Sequence, residues 1–230
     1  SRRGWQMPLN RTLGELRADL ATRLGFGSAG PNLGALVPIL NSMLYASQTW
    51  LYWEFDWRSL RVHVTETLGA SQIYLDFPTE IHPDRIQWIS RKFSEVWSPP
   101  LERGIPAELY TTQDEEGPPA RWDLNGASGS LQIEFWPQSD ASYSIRIFGV
   151  APLGDFTQDG HRTTLDSELV FTHALMTAKA HYKHPDAQIY ADLFAGLLAG
   201  QKARNWTKRV FSPHERPPPI PKPLVVGRIS

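Results

Sequence analysis

The chain has 230 residues and a mass of 26.0 kDa, enough for one large domain or two small ones. Its 23 Lys and Arg against 24 Asp and Glu leave a formal charge of −1, so the chain as a whole lacks the electrostatic footprint of a nucleic-acid or membrane-surface binder. With 41% apolar and 20% charged residues it is too apolar for wholesale disorder, and the absence of cysteine removes disulfides, thiolate metal sites and cysteine nucleophiles together.

No stretch approaches the roughly 18 apolar residues of a membrane-spanning helix. Behind Arg2 and Arg3 there is no apolar run of the kind a secretory signal carries. Nine Trp and 19 Pro are the unusual feature, and they favour broad contact surfaces.

The first helix is expected to start at Thr12, where Thr12 and Glu15 have the spacing of a capping box. Leu13, Leu16, Leu20 and Leu24 mark its apolar face, and Gly25 and Gly27 end it. A longer helix is predicted over residues 33–55, with Pro38 near its start. Trp50, Tyr52, Trp53, Phe55 and Trp57 crowd its far end, so that end is either buried all round or pressed against another chain.

The period then changes to two. Leu60, Val62 and Val64 alternate with polar residues, residues 72–77 form a second strand, and residues 85–89 a third. Prolines make residues 98–107 unfit for a regular ladder, and residues 113–119 read as an exposed acidic loop around Asp114, Glu115 and Glu116. Residues 121–124 are a weak strand. Leu131, Ile133 and Phe135 are expected to pair with Tyr143, Ile145 and Ile147 as a β-hairpin, within a sheet of short local connections.

Helix returns after Gly160, capped by Thr164, Asp166 or Ser167, running to His184 and broken by Pro185. The last helix carries Ile189, Leu193 and Leu197; Gly196 and Gly200 either weaken it or admit a close neighbour. Six prolines between residues 212 and 223 favour an extended arm. The fold class is therefore α+β: two N-terminal and two C-terminal helices in a bundle, an inserted antiparallel sheet, and a C-terminal arm. By residue this divides into an N-terminal arm (1–11), a helical body (12–57 and 161–208), a β domain (58–160) and a proline-rich arm (209–230).

Chemistry is hard to assemble. His181 and His184 lack the further ligands a metal needs, and Asp155, Asp159, Gly160 and His161 read as a turn. Ser128 misses a nucleophile elbow, and Glu134 with Asp140 is an unremarkable carboxylate pair. Lys202, Arg204, Lys208 and Arg209 suit a helix C-terminus. No catalytic, metal or cofactor set is expected.

Leu13-Gly14-Glu15-Leu16-Arg17, then Leu40-Asn41, Ala46-Ser47-Gln48, Leu51-Tyr52 and Asp56-Trp57, resemble the adaptor (head-to-tail connector) proteins of short-tailed bacteriophages, the tail tubular protein A group. Asp166-Ser167-Glu168-Leu169 through Ala178, Tyr182 and Tyr190 is similar to that family's closing helices, so the likeness spans about residues 12–206. It implies a structural virion protein of the tail or neck that turns over no substrate. Such a subunit forms a ring, commonly of twelve, between the portal and the tail nozzle or hub, and lets genomic DNA pass without reading it. It would assemble in the host cytoplasm and need no membrane. Trp50, Trp53 and Trp57 are candidate interface anchors, with packing inside the subunit as the alternative. Pro217, Pro218, Pro219, Ile220, Leu224, Val225 and Val226 are candidate contacts of the arm with a neighbouring subunit or the portal, the alternative being a disordered tail. A virion-associated cell-wall hydrolase and a proline-arm binding module are the competing readings.

Overall fold

The computed structural model describes residues 10–26, 33–93, 95–112, 115–126 and 129–205. Within them the chain is mixed α+β, with four helices and several mainly antiparallel sheets.

Helix α1 (Leu13–Arg23) begins as its sequence demands. The Thr12 hydroxyl accepts from the Glu15 amide, and the Glu15 carboxylate accepts from the Thr12 amide at 2.8 Å. Leu13, Leu16 and Leu20 are fully buried against Leu40 and Leu44 of α2 (Leu33–Glu54) and Phe171 and Leu175 of α3 (Ser167–His181). Asp166 caps α3, accepting from the amides of Glu168 and Leu169, and the helix stops three residues earlier than expected. A second core joins Leu51, Tyr52 and Trp57 to Val170 and to Phe194 of α4 (Ala187–Asn205).

Two four-stranded sheets form the rest. One has the order β1 (Arg61–Leu68), β10 (Tyr143–Val150), β3 (Ile86–Phe93), β4 (Val96–Trp97). The other runs β2 (Tyr74–Asp76), β8 (Gln132–Trp136), β7 (Arg121–Asn125), β5 (Glu102–Arg103). A small parallel pair, β6 (Glu116–Gly117) and β9 (Gln138–Ser139), lies beside them. Leu68, Ile89, Ile145 and Ile147 of the first sheet meet Trp122, Ile133 and Phe135 of the second in one core.

That core corrects the expected hairpin. Strands β8 and β10 do not pair: β8 lies between β2 and β7, and β10 between β1 and β3. Alternation of Ile133 and Phe135, and of Ile145 and Ile147, fixes which face is apolar and leaves the partner open. Both apolar faces are satisfied across the sandwich instead of along a ladder, and the six residues between the strands carry the chain from one sheet to the other. The connections are accordingly long-range, with Arg61 opposite Val150. Two smaller corrections follow. Strand β3 extends to Phe93, and Glu102–Arg103, in the proline-rich stretch, does make a two-residue parallel pairing with β7.

Candidate functional site

The residues considered above for chemistry are absorbed by the architecture. Asp159 takes both guanidinium nitrogens of Arg17 at 2.6 and 2.8 Å, which holds its carboxyl below the usual carboxylate range. His161 accepts on Nδ1 from the amides of Thr157 and Gln158, so this loop is a turn locked onto α1. His181 ends α3, while His184 lies beyond it, its amide bonded to the Lys179 carbonyl. Among the described residues no group of three or more His, Asp and Glu is arranged to hold a metal. Asp140 accepts from Tyr143, and Glu134 is only 5% exposed beneath Tyr74 and Tyr110. Ser128, Lys208 and Arg209 lie outside the described residues. Lys202 bonds Glu54 at 2.5 Å, tying the end of α4 to the end of α2.

Ser47 and His173 form a pair that no sequence motif joins. Their Oγ and Nδ1 stand 2.9 Å apart, but Ser47 is buried and donates its proton to the Met43 carbonyl. The imidazole must therefore donate from Nδ1, leaving the hydroxyl no base to activate it. Trp50 of α2 stacks on the ring at 4.8 Å, and Phe194 of α4 meets its edge at 4.9 Å. The pair is a pin through three helices.

Burial pushes the His173 pKa down, so the fold prefers the neutral ring. Above the ordinary histidine value of about 6.5 that preference has no consequence; as pH falls through it, the unfolded chain takes up the proton first and stability drops. We expect the urea midpoint to fall between pH 7 and pH 5, and by less in His173→Gln than in the parent chain. Equal slopes for the two proteins would refute this assignment.

The three candidate tryptophans part company. Trp57 is 4% exposed, and its indole donates to the Leu51 carbonyl at 2.7 Å, closing the last turn of α2. Trp50 is half-covered by His173 and Phe194. Trp53 is 52% exposed, resting edge-on against His82 and Tyr52. Beneath it Arg85, which nothing in the sequence singled out, donates to the carbonyls of Tyr52 and Phe55 and lies over the Tyr52 ring at 4.6 Å. The arm residues 217–220 and 224–226 lie outside the described residues, as does Asp114; Glu115 and Glu116 are exposed.

What remains distinctive is the outer face of α2. Ala35, Ile39, Ser42, Tyr45, Ala46 and Trp53 are exposed along it, about 27 Å of helix at 1.5 Å per residue. No Asp, Glu, Lys or Arg occurs from Leu33 to Trp53. An exposed helix face normally carries charge, so an uncharged one of this length is a candidate contact surface. Helix α4 exposes a second apolar face. Ile189 is 67% exposed and Leu193 is exposed beside it. Next to them Gly196 and Gly200 leave a shallow groove of about 400 Å³ bordered by Leu197 and Arg204. Among the described residues, nothing outside the adjoining turns of the helix's own backbone comes within 4 Å of a Cβ placed on either glycine. No helix among the described residues is long and apolar enough to cross a membrane. Compared with known proteins, the chain matches no family model and no curated protein.

Proposed function

We propose that this chain is a structural subunit of a short-tailed phage virion, a member of an adaptor ring that joins the portal to the tail nozzle and lets DNA through its channel. The observation that carries the reading is the uncharged, exposed face of α2, with Ile39, Tyr45 and Trp53 along it. A second apolar face on α4, which exposes Ile189 and Leu193 beside two glycines, supports it. Two different sticky faces on one chain associate head to tail, and head-to-tail contacts close into rings when the rotation per subunit allows.

In this reading the four helices form the ring body, and the two sheets are an insertion between α2 and α3. Portal and nozzle would occupy the axial sides, and the subunit would turn over no substrate. The test is native mass spectrometry of the purified chain mixed with its portal. We expect a complex with close to twelve copies, the number that the family resemblance implies. A chain that stays single in the presence of portal would overturn the proposal; monomers without portal would not, since a platform can be required for closure.

A further inference from the structure

Charge is partitioned along this chain. Residues 58–160 hold 15 Asp and Glu against 8 Lys and Arg, whereas residues 10–57 with 161–205 hold 8 of each. Residues 206–230 hold 5 Lys and Arg against Glu215 alone. A sheet-forming stretch of net charge −7 thus sits in the same chain as a C-terminal segment of +4, a contrast that the overall −1 conceals.

One sheet face holds three of these acids close together. The β2–β8–β7 ladder sets Tyr74, Glu134 and Asp123 in one cross-strand row, and Asp76, Gln132 and Asn125 in the next. Ile133 and Phe135, which alternate with these residues on β8, point into the core, so the two rows form the opposite face. Neither row holds a cation, and Glu134 stands directly across from Asp123, where like charges repel. Arg121, one row further on, is engaged by Glu102 and the Gly104 carbonyl.

The same face is aromatic. Tyr74 and Tyr110 are half-exposed, and their hydroxyls reach the two Glu134 oxygens at 3.4 Å each, longer than a good phenol–carboxylate bond. Burial and the Glu134 charge push both phenols up, and the same carboxylate accepts from the Asn125 amide at 3.2 Å. Trp136 lies two residues beyond Glu134 on β8, and its indole N–H is shut off from solvent with no acceptor. Tyr110, Glu134 and Trp136 line one recess.

Exposed rings and carboxylates without a cation are what a basic polyproline helix can satisfy. Its carbonyls make no internal hydrogen bonds, its proline rings pack on aromatic side chains, and a flanking cation meets the acids. This chain contains such a segment: Arg216-Pro217-Pro218-Pro219-Ile220-Pro221-Lys222-Pro223. It begins 11 residues past Asn205, where α4 ends, a distance the chain can span up to about 40 Å. We infer that the outer face of β2–β8–β7 is the docking site of this chain's own C-terminal segment, with residues 216–223 laid as a polyproline helix across Tyr74, Tyr110 and Trp136. A cation of the segment, Arg216 or Lys222 according to its direction, lies against Asp123 and Glu134. The inference does not depend on the virion reading.

The experiment uses the full chain carrying Arg216→Glu and Lys222→Glu, which disables its own segment, titrated with a fluorescein-labelled peptide of residues 212–228. Saturable binding is expected, weakened about tenfold or more by Asp123→Asn and by Tyr110→Ala, since each removes a charge-assisted or stacking contact. Asp123→Asn is conservative enough to keep the fold, which circular dichroism verifies. A peptide with its prolines changed to alanine and its charges kept is expected to bind at least tenfold more weakly. In the parent chain, carbodiimide coupling should join Lys222 to Asp123, Glu134 or Asp76. The inference fails if the peptide does not bind, if both sheet variants bind it as the parent does, if the alanine peptide binds equally well, or if Lys222 couples only to helix carboxylates.

Discussion

Gly149→Ala is expected to destabilise the chain by about 3 kcal/mol, at the upper end of the usual penalty for overpacking. A Cβ at this position would lie 2.6 Å from the Ile81 side chain, 2.8 Å from the Arg85 carbonyl oxygen and 3.3 Å from the Ile86 Cα. Two of those three neighbours are backbone and cannot rotate away. They are backbone because the β10–β3 register shifts between Phe148 and Gly149, which brings the start of β3 over the glycine. The displaced segment includes Arg85, whose guanidinium fastens the end of α2 to the sheets, so damage should spread to the second core. Equilibrium urea unfolding measures the loss. The contrast is Gly196→Ala on α4, where a Cβ meets nothing and a helix-interior alanine should add about 0.5–1 kcal/mol to the isolated subunit. If the two glycines respond alike, the packing described around Gly149 is wrong.

Ile39→Glu with Tyr45→Glu is expected to leave the subunit folded and to weaken each contact between subunits about a hundredfold. Both side chains are exposed and neither contributes to the buried cores, so the thermal midpoint should move little. In an assembled contact each glutamate would lie against an apolar surface without a counter-ion. Losing an aromatic anchor alone is worth about 2 kcal/mol or more, and a stranded carboxylate adds to that. Because every subunit of a ring repeats the defect, assembly on portal should be lost outright in sedimentation. Trp53 is deliberately spared, since it packs on His82, Tyr52 and Arg85 within the chain and its loss would confuse folding with assembly. Normal rings from the double variant would remove α2 from the lateral contact.

These two cases also mark what a linear reading can and cannot reach. The helices were legible because their signals are local: the Thr12–Glu15 box, the Asp166 cap, and leucines every three or four residues. The strands were legible as faces, since alternation states which side is buried, but their partners are set by which faces meet in three dimensions. Hence β8 and β10 were expected to join each other and instead oppose each other. The tryptophans show the same limit on a finer scale. Trp50, Trp53 and Trp57 look alike in sequence, yet α2 ends at Glu54, and of the three only Trp57, past that end, folds back to donate to the Leu51 carbonyl. Gly149 and Arg85 were illegible because their significance is a close approach between segments about 65 residues apart. The charge partition was written in the sequence throughout, but only the register of β2, β8 and β7 shows that Glu134 and Asp123 face each other.

The pairing of β1 with β10 has a consequence for synthesis. When a ribosome has delivered Arg61, its ladder partner Val150 is still 89 residues away, and at about 5–20 residues per second that is a delay of roughly 4–18 s. During that interval β1 lacks its one ladder neighbour, and the greasy helix before it has already emerged while α3 and α4 do not yet exist to cover its inner side. A nascent polypeptide in this state is a natural client for the holding chaperones at the exit tunnel, and slowing initiation or lowering the growth temperature should raise its soluble yield more than strengthening any single contact in the finished subunit.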